Sequence, residues 1–179
     1  MDKKRLKVGI IGCGGIANQK HLPGMAQQTE FVDLAAFCDL IPERAEKAAK
    51  EYGTPDAKVY TDYHDLLADP TIDAVHVLTP NVAHCEITVA ALEAGKHVLC
   101  EKPLTASAEE SRELAQLAAS TGLTCGVVFN NRFLSPVLRA RQLVEEGRLG
   151  RILSFDFAYR HNSCIDPERT VGWKQRATC

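Results

Sequence analysis

Gly12, Gly14 and Ala17 end the apolar run Lys7-Val8-Gly9-Ile10-Ile11 in the order Gly-x-Gly-x-x-Ala. A backbone with that spacing can wrap a pyrophosphate: Gly12 permits a tight turn, Gly14 lets the main chain approach the anion, and Ala17 allows a helix to pack close against the strand. A helix opening at Gly15 or Ile16 would aim its unpaired N–H groups and positive dipole end at the same anion. Taken alone, the pattern also describes an ordinary strand-to-helix turn. Asp39 adds a second mark, because it ends the apolar run 31–38 at the distance expected of a carboxylate that accepts hydrogen bonds from the adenosine ribose hydroxyls. A carboxylate there repels a 2′-phosphate and so favours NAD over NADP, although Arg44, a little further on, could reach such a phosphate. Asp39 also fits the N-cap of a helix opening at Pro42-Glu43, and it can serve both purposes.

A second cluster, Glu101-Lys102-Pro103, follows the apolar run His97-Val98-Leu99-Cys100. Ligands of open α/β sheets bind beyond the carboxyl ends of the strands. Pro103 restricts Lys102 to extended backbone. An ammonium so placed can polarise a hydroxyl or carbonyl, or act as a general base once a low-dielectric site depresses its pKa. By position alone, a solvated charge pair on a surface loop is the competing reading.

The elements that must position these residues alternate between strand and helix, which calls for a mostly parallel sheet covered on both faces. Ala45, Ala48, Ala49 and Tyr52 recur at helical spacing until Gly53. A weak strand at 58–61 and a short helix at 63–68 follow, and Ile72 to Leu78 is the next strand. From Asn81, the positions Val82, Cys85, Val89 and Leu92 predict one apolar helix face ending at Gly95. Ser107 with Glu110 reads as a capping box for a helix with the stripe Leu114, Leu117, Ala118 and Thr121, closed by Gly122. Thr124 to Phe129 completes the sheet.

Composition narrows the function classes. The chain has 179 residues, 45% of them hydrophobic and 25% charged, with a net charge of −2, as in an ordinary globular protein. No basic excess points to nucleic acid. The longest apolar stretches, 8–17 and 74–78, are too short for a bilayer. Lys3-Lys4-Arg5 ahead of Cys13 imitates a lipoprotein signal, but the apolar segment between them is too short for one. The seven cysteines lack C-x-x-C spacing and are odd in number, so they predict neither zinc nor a full disulfide framework. Cytoplasm is the expected compartment, with Cys13, Cys38, Cys85, Cys100 and Cys125 acting as small buried apolar groups. His64, His76 and His161 carry no metal-site spacing.

Together these residues resemble the family of glucose-fructose oxidoreductase and inositol dehydrogenase, over nearly the whole chain. The resemblance rests on Gly12 to Ala17, His21-Leu22-Pro23, Thr79-Pro80-Asn81 with His84, and the phrase Ala94-Gly95-Lys96-His97-Val98 leading to Glu101-Lys102-Pro103. It extends to Asn131-Arg132-Phe133 before a helix ending Gly147-Arg148-Leu149-Gly150. It implies a Rossmann-type doubly wound sheet over residues 1–130, then over 131–179 the beginning of an α+β domain built on an open antiparallel sheet. In that domain Val137, Ala140 and Val144 would line a helix, and a strand over 151–160 would alternate Leu153, Phe155, Phe157 and Tyr159 on one face.

By resemblance, Lys102 contacts the substrate and the nicotinamide, the Lys102–Pro103 bond is cis, and Glu101 lies near the nicotinamide ribose. Thr79, Pro80, Asn81 and His84 lie along the cofactor, and Arg132 and Trp173 border the substrate cleft. The implied reaction is hydride transfer between a secondary alcohol of a sugar or cyclitol and NAD, in a homo-oligomeric enzyme. Lys102 would take the hydroxyl proton, assisted by a histidine found further along in relatives. Family members usually exceed 300 residues, so a chain cut short within the second domain, with little turnover, is expected. An NAD-dependent glycoside hydrolase and a non-catalytic NAD-binding regulator are the alternative readings of the same architecture.

Overall fold

In the computed structural model, which describes residues 4–160 and Glu168, six parallel strands lie in the order β3-β2-β1-β4-β5-β6. They are β1 (Leu6–Ile11), β2 (Val32–Cys38), β3 (Lys58–Tyr60), β4 (Ala74–Val77), β5 (His97–Cys100) and β6 (Cys125–Val127). β1 is central, and its residues Val8 to Ile11 are buried without alternation, as expected of a parallel strand covered on both sides. The order reverses between β1 and β4, which places a crevice at the carboxyl ends of those two strands.

Two hydrophobic layers sandwich the sheet. On one face Ile10 and Phe37 pack with Ala17 and Leu22, and with Ala45 and Ala48 of α2 (Pro42–Tyr52). Leu22 opens α1 (Leu22–Met25). On the other face Ile11, Val75, Val77, Val98 and Cys100 meet α3 (Tyr63–Ala68), α4 (His84–Glu93) and α5 (Ala108–Thr121). Complete burial of side chains such as Phe37, Leu22 and Ile10 contributes about 1.5–3 kcal/mol each.

Local signals end the helices. Asp62 caps α3 by accepting from the His64 amide at 2.8 Å. Ser107 and Glu110 close a capping box on α5, and Gly122 ends that helix at φ 67°. The buried ammonium of Lys96 donates to the carbonyls of Asp69 and Ile72, each at 2.8 Å, tying the start of β5 to the loop before β4.

The structure corrects three expectations. The buried face of α4 is His84, Ile87, Thr88, Ala91 and Leu92, not the stripe through Val82, Cys85 and Val89. Val82 is 63% exposed in the 3-10 turn Asn81–Ala83 that precedes the helix. Helical spacing of apolar residues misses this face because His84 enters the core with its ring nitrogens against the Pro103 and Thr79 carbonyls. The N-cap of α2 is Ile41, and Asp39 sits two residues before it. The strand expected over 151–160 is absent, and Leu153, Phe155, Phe157 and Tyr159 are all largely exposed. Alternation sets which way side chains would face in a strand and does not itself make one, because a strand also needs a ladder of backbone hydrogen bonds to a neighbour.

The chain divides into a unit over 1–128 and one beginning at Phe129. The second holds the 3-10 turn Asn130–Phe133 and α6 (Ser135–Glu145), on which Val137 and Val144 are exposed.

Candidate functional site

The glycine loop joins β1 to a π-helical turn, Ala17–His21, that runs straight into α1. Gly12 has φ +96°, and a Cβ there would stand 2.7 Å from the Leu78 carbonyl carbon and 2.9 Å from the Thr79 nitrogen. Its amide donates to the Cys38 carbonyl at 2.8 Å. The turn is therefore wedged between the ends of β2 and β4. At Gly14, by contrast, a Cβ would meet nothing within 4 Å, so this backbone faces open space. Asn18, which sequence reasoning missed, closes the loop from within by donating to the carbonyls of Cys13 and Gly14 at 2.7 and 2.9 Å. Its only sequence signal is an amide-bearing side chain one residue past Ala17.

Asp39 faces the same loop. One carboxylate oxygen accepts from the Cys13 amide at 2.8 Å and the other from the Ile41 amide at 2.9 Å. A carboxylate oxygen has two acceptor positions, so each retains one for a ligand hydroxyl. Arg44 lies at 4.0 Å with its guanidinium half-exposed.

Burial foremost, then the Asp39 charge, pushes the Cys13 and Cys38 thiols up to about 12; burial does the same to Cys100. The thiolate is the reactive species. At pH 8 these thiols are expected to alkylate about 10³-fold more slowly than in the unfolded chain. Pulsed alkylation read by mass spectrometry checks this, and native Cys13 labelling as fast as a peptide thiol would mean that the loop opens.

Beyond β4 and β5 the remaining residues gather. Thr79, Pro80 and Asn81 follow β4, and the Thr79 hydroxyl oxygen is buried without a partner among the described residues. His84 is 1% exposed, with Nδ1 at 2.6 Å from the Pro103 carbonyl and Nε2 at 2.8 Å from the Thr79 carbonyl. It cross-links the loops after β4 and β5, a role visible only once the two strands are adjacent.

Glu101 is anchored by its amide on the Val77 carbonyl at 2.9 Å. Its carboxylate accepts from His21 Nε2 at 2.8 Å and from the Lys102 amide at 2.9 Å. The Lys102–Pro103 bond is cis. Lys102 is exposed, with no ion-pair partner among the described residues. Gly12, Gly14, Gly15, Ile16, Asp39, Thr79, Pro80, Asn81, Glu101 and Lys102 thus all lie at the carboxyl ends of β1, β2, β4 and β5. Arg132 belongs to the second unit, its guanidinium 5.7 Å from the centre of the Phe133 ring. Trp173 lies outside the described residues.

The chemistry of this edge fits a dinucleotide: an open glycine backbone for phosphates, a fixed carboxylate on one side, and a carboxylate and ammonium on the other. Among the described residues no group of three side chains could hold a metal ion, and no helix is long and apolar enough to cross a membrane.

Residues 6–129 match the family model described as "Oxidoreductase family, NAD-binding Rossmann fold". Levoglucosan dehydrogenase of Pseudarthrobacter phenanthrenivorans is 35% identical over 96% of this chain and 45% of its own length. Inositol 2-dehydrogenase/D-chiro-inositol 3-dehydrogenase of Lactiplantibacillus plantarum is 35% identical over 90% of the chain and 45% of its own. The crystal structure of scyllo-inositol dehydrogenase from Lactobacillus casei, with bound NAD(H) and scyllo-inositol, superposes with a TM-score of 0.74 at 32% identity, covering 82% of this chain and 43% of that one. The chain thus spans about half the length of the relatives it matches.

Proposed function

Because this chain belongs to the Gfo/Idh/MocA family of oxidoreductases with an NAD-binding Rossmann fold, we propose that it forms the cofactor half of an NAD-dependent dehydrogenase acting on a secondary alcohol of a sugar or cyclitol. The observation that carries this reading is the pairing of an open Gly14 backbone with an Asp39 carboxylate already fixed by the same loop.

In this reading the amides of Gly14, Gly15 and Ile16 bind the pyrophosphate. Asp39 accepts from the adenosine ribose with the acceptor positions that Cys13 and Ile41 leave free. Thr79, Pro80 and Asn81 border the middle of the cofactor, and Glu101 takes the nicotinamide ribose. NAD, when bound, supplies the hydride acceptor, since redox chemistry of this kind belongs to the cofactor. Lys102 holds and accepts the proton of the substrate hydroxyl. His84 keeps the Pro103 carbonyl in place behind it. The part of the enzyme that follows residue 130 carries the surfaces of a homo-oligomer. The five free thiols among the described residues support a reducing compartment such as the cytoplasm.

A thermal-shift titration with NADH and NADPH in parallel tests the reading. NADH at a hundred times its Kd should add about 2.7 kcal/mol, a rise of roughly 5–10 °C for a chain of this size. NADPH should add much less, because its 2′-phosphate meets the Asp39 carboxylate. A folded protein indifferent to both would overturn the cofactor reading, and a preference for NADPH would transfer the role to Arg44.

A further inference from the structure

We infer that His21 is a positioning residue that sets the Glu101 carboxylate, and through it the nicotinamide end of the cofactor site; the inference rests on the reading proposed above. A carboxylate can only accept, so the 2.8 Å contact is His21 Nε2–H donating to Glu101 Oε1. Both side chains are mostly buried. The other oxygen of Glu101 accepts from the amide of Lys102. The carboxylate is thereby held between one imidazole and the backbone of the residue assigned to proton transfer.

His21 is itself delivered by an unusual piece of backbone. It ends the π-helical turn that begins at Ala17, where the amide of Leu22 bonds the Ala17 carbonyl five residues back. The extra residue in that turn shifts the helical phase, a device frequent at functional sites. Behind the ring stands His76 of β4, edge-on with centroids 4.6 Å apart. Burial, with the neighbouring His21 adding to it, pulls His76 down to about 3, so this ring stays neutral. A thioether only accepts, so His76 Nδ1 donates to Met25 Sδ at 3.3 Å. Met25, His76, His21 and Glu101 thus form one column from α1 across the sheet to the end of β5. Each member restricts the rotation of the next.

Strand order gives this column its meaning for the ligand. Asp39 follows β2, the glycine loop follows β1, and Glu101 follows β5 on the far side of β4. A cofactor with its adenosine at Asp39 reaches Glu101 only with its nicotinamide half. Loss of His21 should therefore weaken ligands that possess that half and spare those that lack it.

The experiment measures Kd for NADH and for ADP with the unaltered chain, His21→Leu and His21→Gln. His21→Leu should weaken NADH by about tenfold or more, the loss expected when a hydrogen bond to a charged group is removed, and leave ADP nearly unchanged. His21→Gln keeps an N–H donor and should recover much of the NADH affinity. Parallel losses of NADH and ADP would reduce His21 to general support of the fold and overturn the inference, as would unaltered NADH binding in His21→Leu. An unaltered chain that binds ADP but gains nothing from the nicotinamide half also overturns it, with the adenosine site intact. If that chain binds neither ligand, the cofactor reading falls first and takes the inference with it.

Discussion

Replacing Gly12 by alanine is expected to abolish NADH binding and to lower stability by about 2–6 kcal/mol. Two effects add. A residue with a side chain is strained at φ +96°, which costs about 1–3 kcal/mol. The new methyl also stands 2.7–2.9 Å from the Leu78 carbonyl group and the Thr79 nitrogen, which are backbone atoms and cannot swing aside. Overpacking against fixed atoms costs a further 1–3 kcal/mol or so. Against a total stability of about 5–15 kcal/mol, the variant should melt well below the parent. Relief of the clash pushes the glycine loop away from β4, and the Gly12 amide leaves the Cys38 carbonyl. Urea titration followed by NADH fluorescence measures both effects. A variant with parental melting and binding would show that the loop does not approach β4 as described.

The second large effect is catalytic. In the enzyme built on this fold, Lys102→Met should lower kcat by roughly 10²–10⁴-fold, the usual cost of losing a general acid or base. Lys102 is exposed and unpaired among the described residues. Stability should then move by no more than about 0.5 kcal/mol, as for other surface substitutions. That separation makes the result interpretable, because lost turnover cannot be attributed to lost fold. Steady-state kinetics with NAD and a series of cyclitols or sugars reads the effect. Turnover within about tenfold of the parent would assign proton transfer to another group.

The sequence makes some of this arrangement visible and conceals the rest for a physical reason. Gly12, Gly14 and Ala17 are legible because their function is local: three residues in one turn determine whether a backbone can wrap an anion. Asp39 is legible because a single βαβ unit fixes how far the second strand lies from the first. The alternation of runs also discloses a parallel sheet, and the ends of α5 follow from Ser107, Glu110 and Gly122. His21, His84 and Lys96 are concealed because their partners are 80, 19 and 27 residues away. Their value depends on which strands become neighbours. Polar side chains in a core also defeat a search for apolar periodicity, which is why the stripe Val82, Cys85, Val89 and Leu92 misses His84 and Thr88 on the buried face of α4. The alternating run at 151–160 fails in the opposite sense, since its pattern is clear while the described backbone there forms no strand.

The wedging of Gly12 between β2 and β4 has a consequence for biosynthesis. The loop leaves the ribosome before its partners, yet its shape depends on the Cys38 carbonyl, the Asp39 carboxylate and the Leu78–Thr79 backbone. At translation rates of about 5–20 residues per second, the loop waits roughly 3–12 s for β4 to emerge. A motif synthesised ahead of its partners thus waits for them, so a nascent chain gains its phosphate-binding turn only after the central strands have paired.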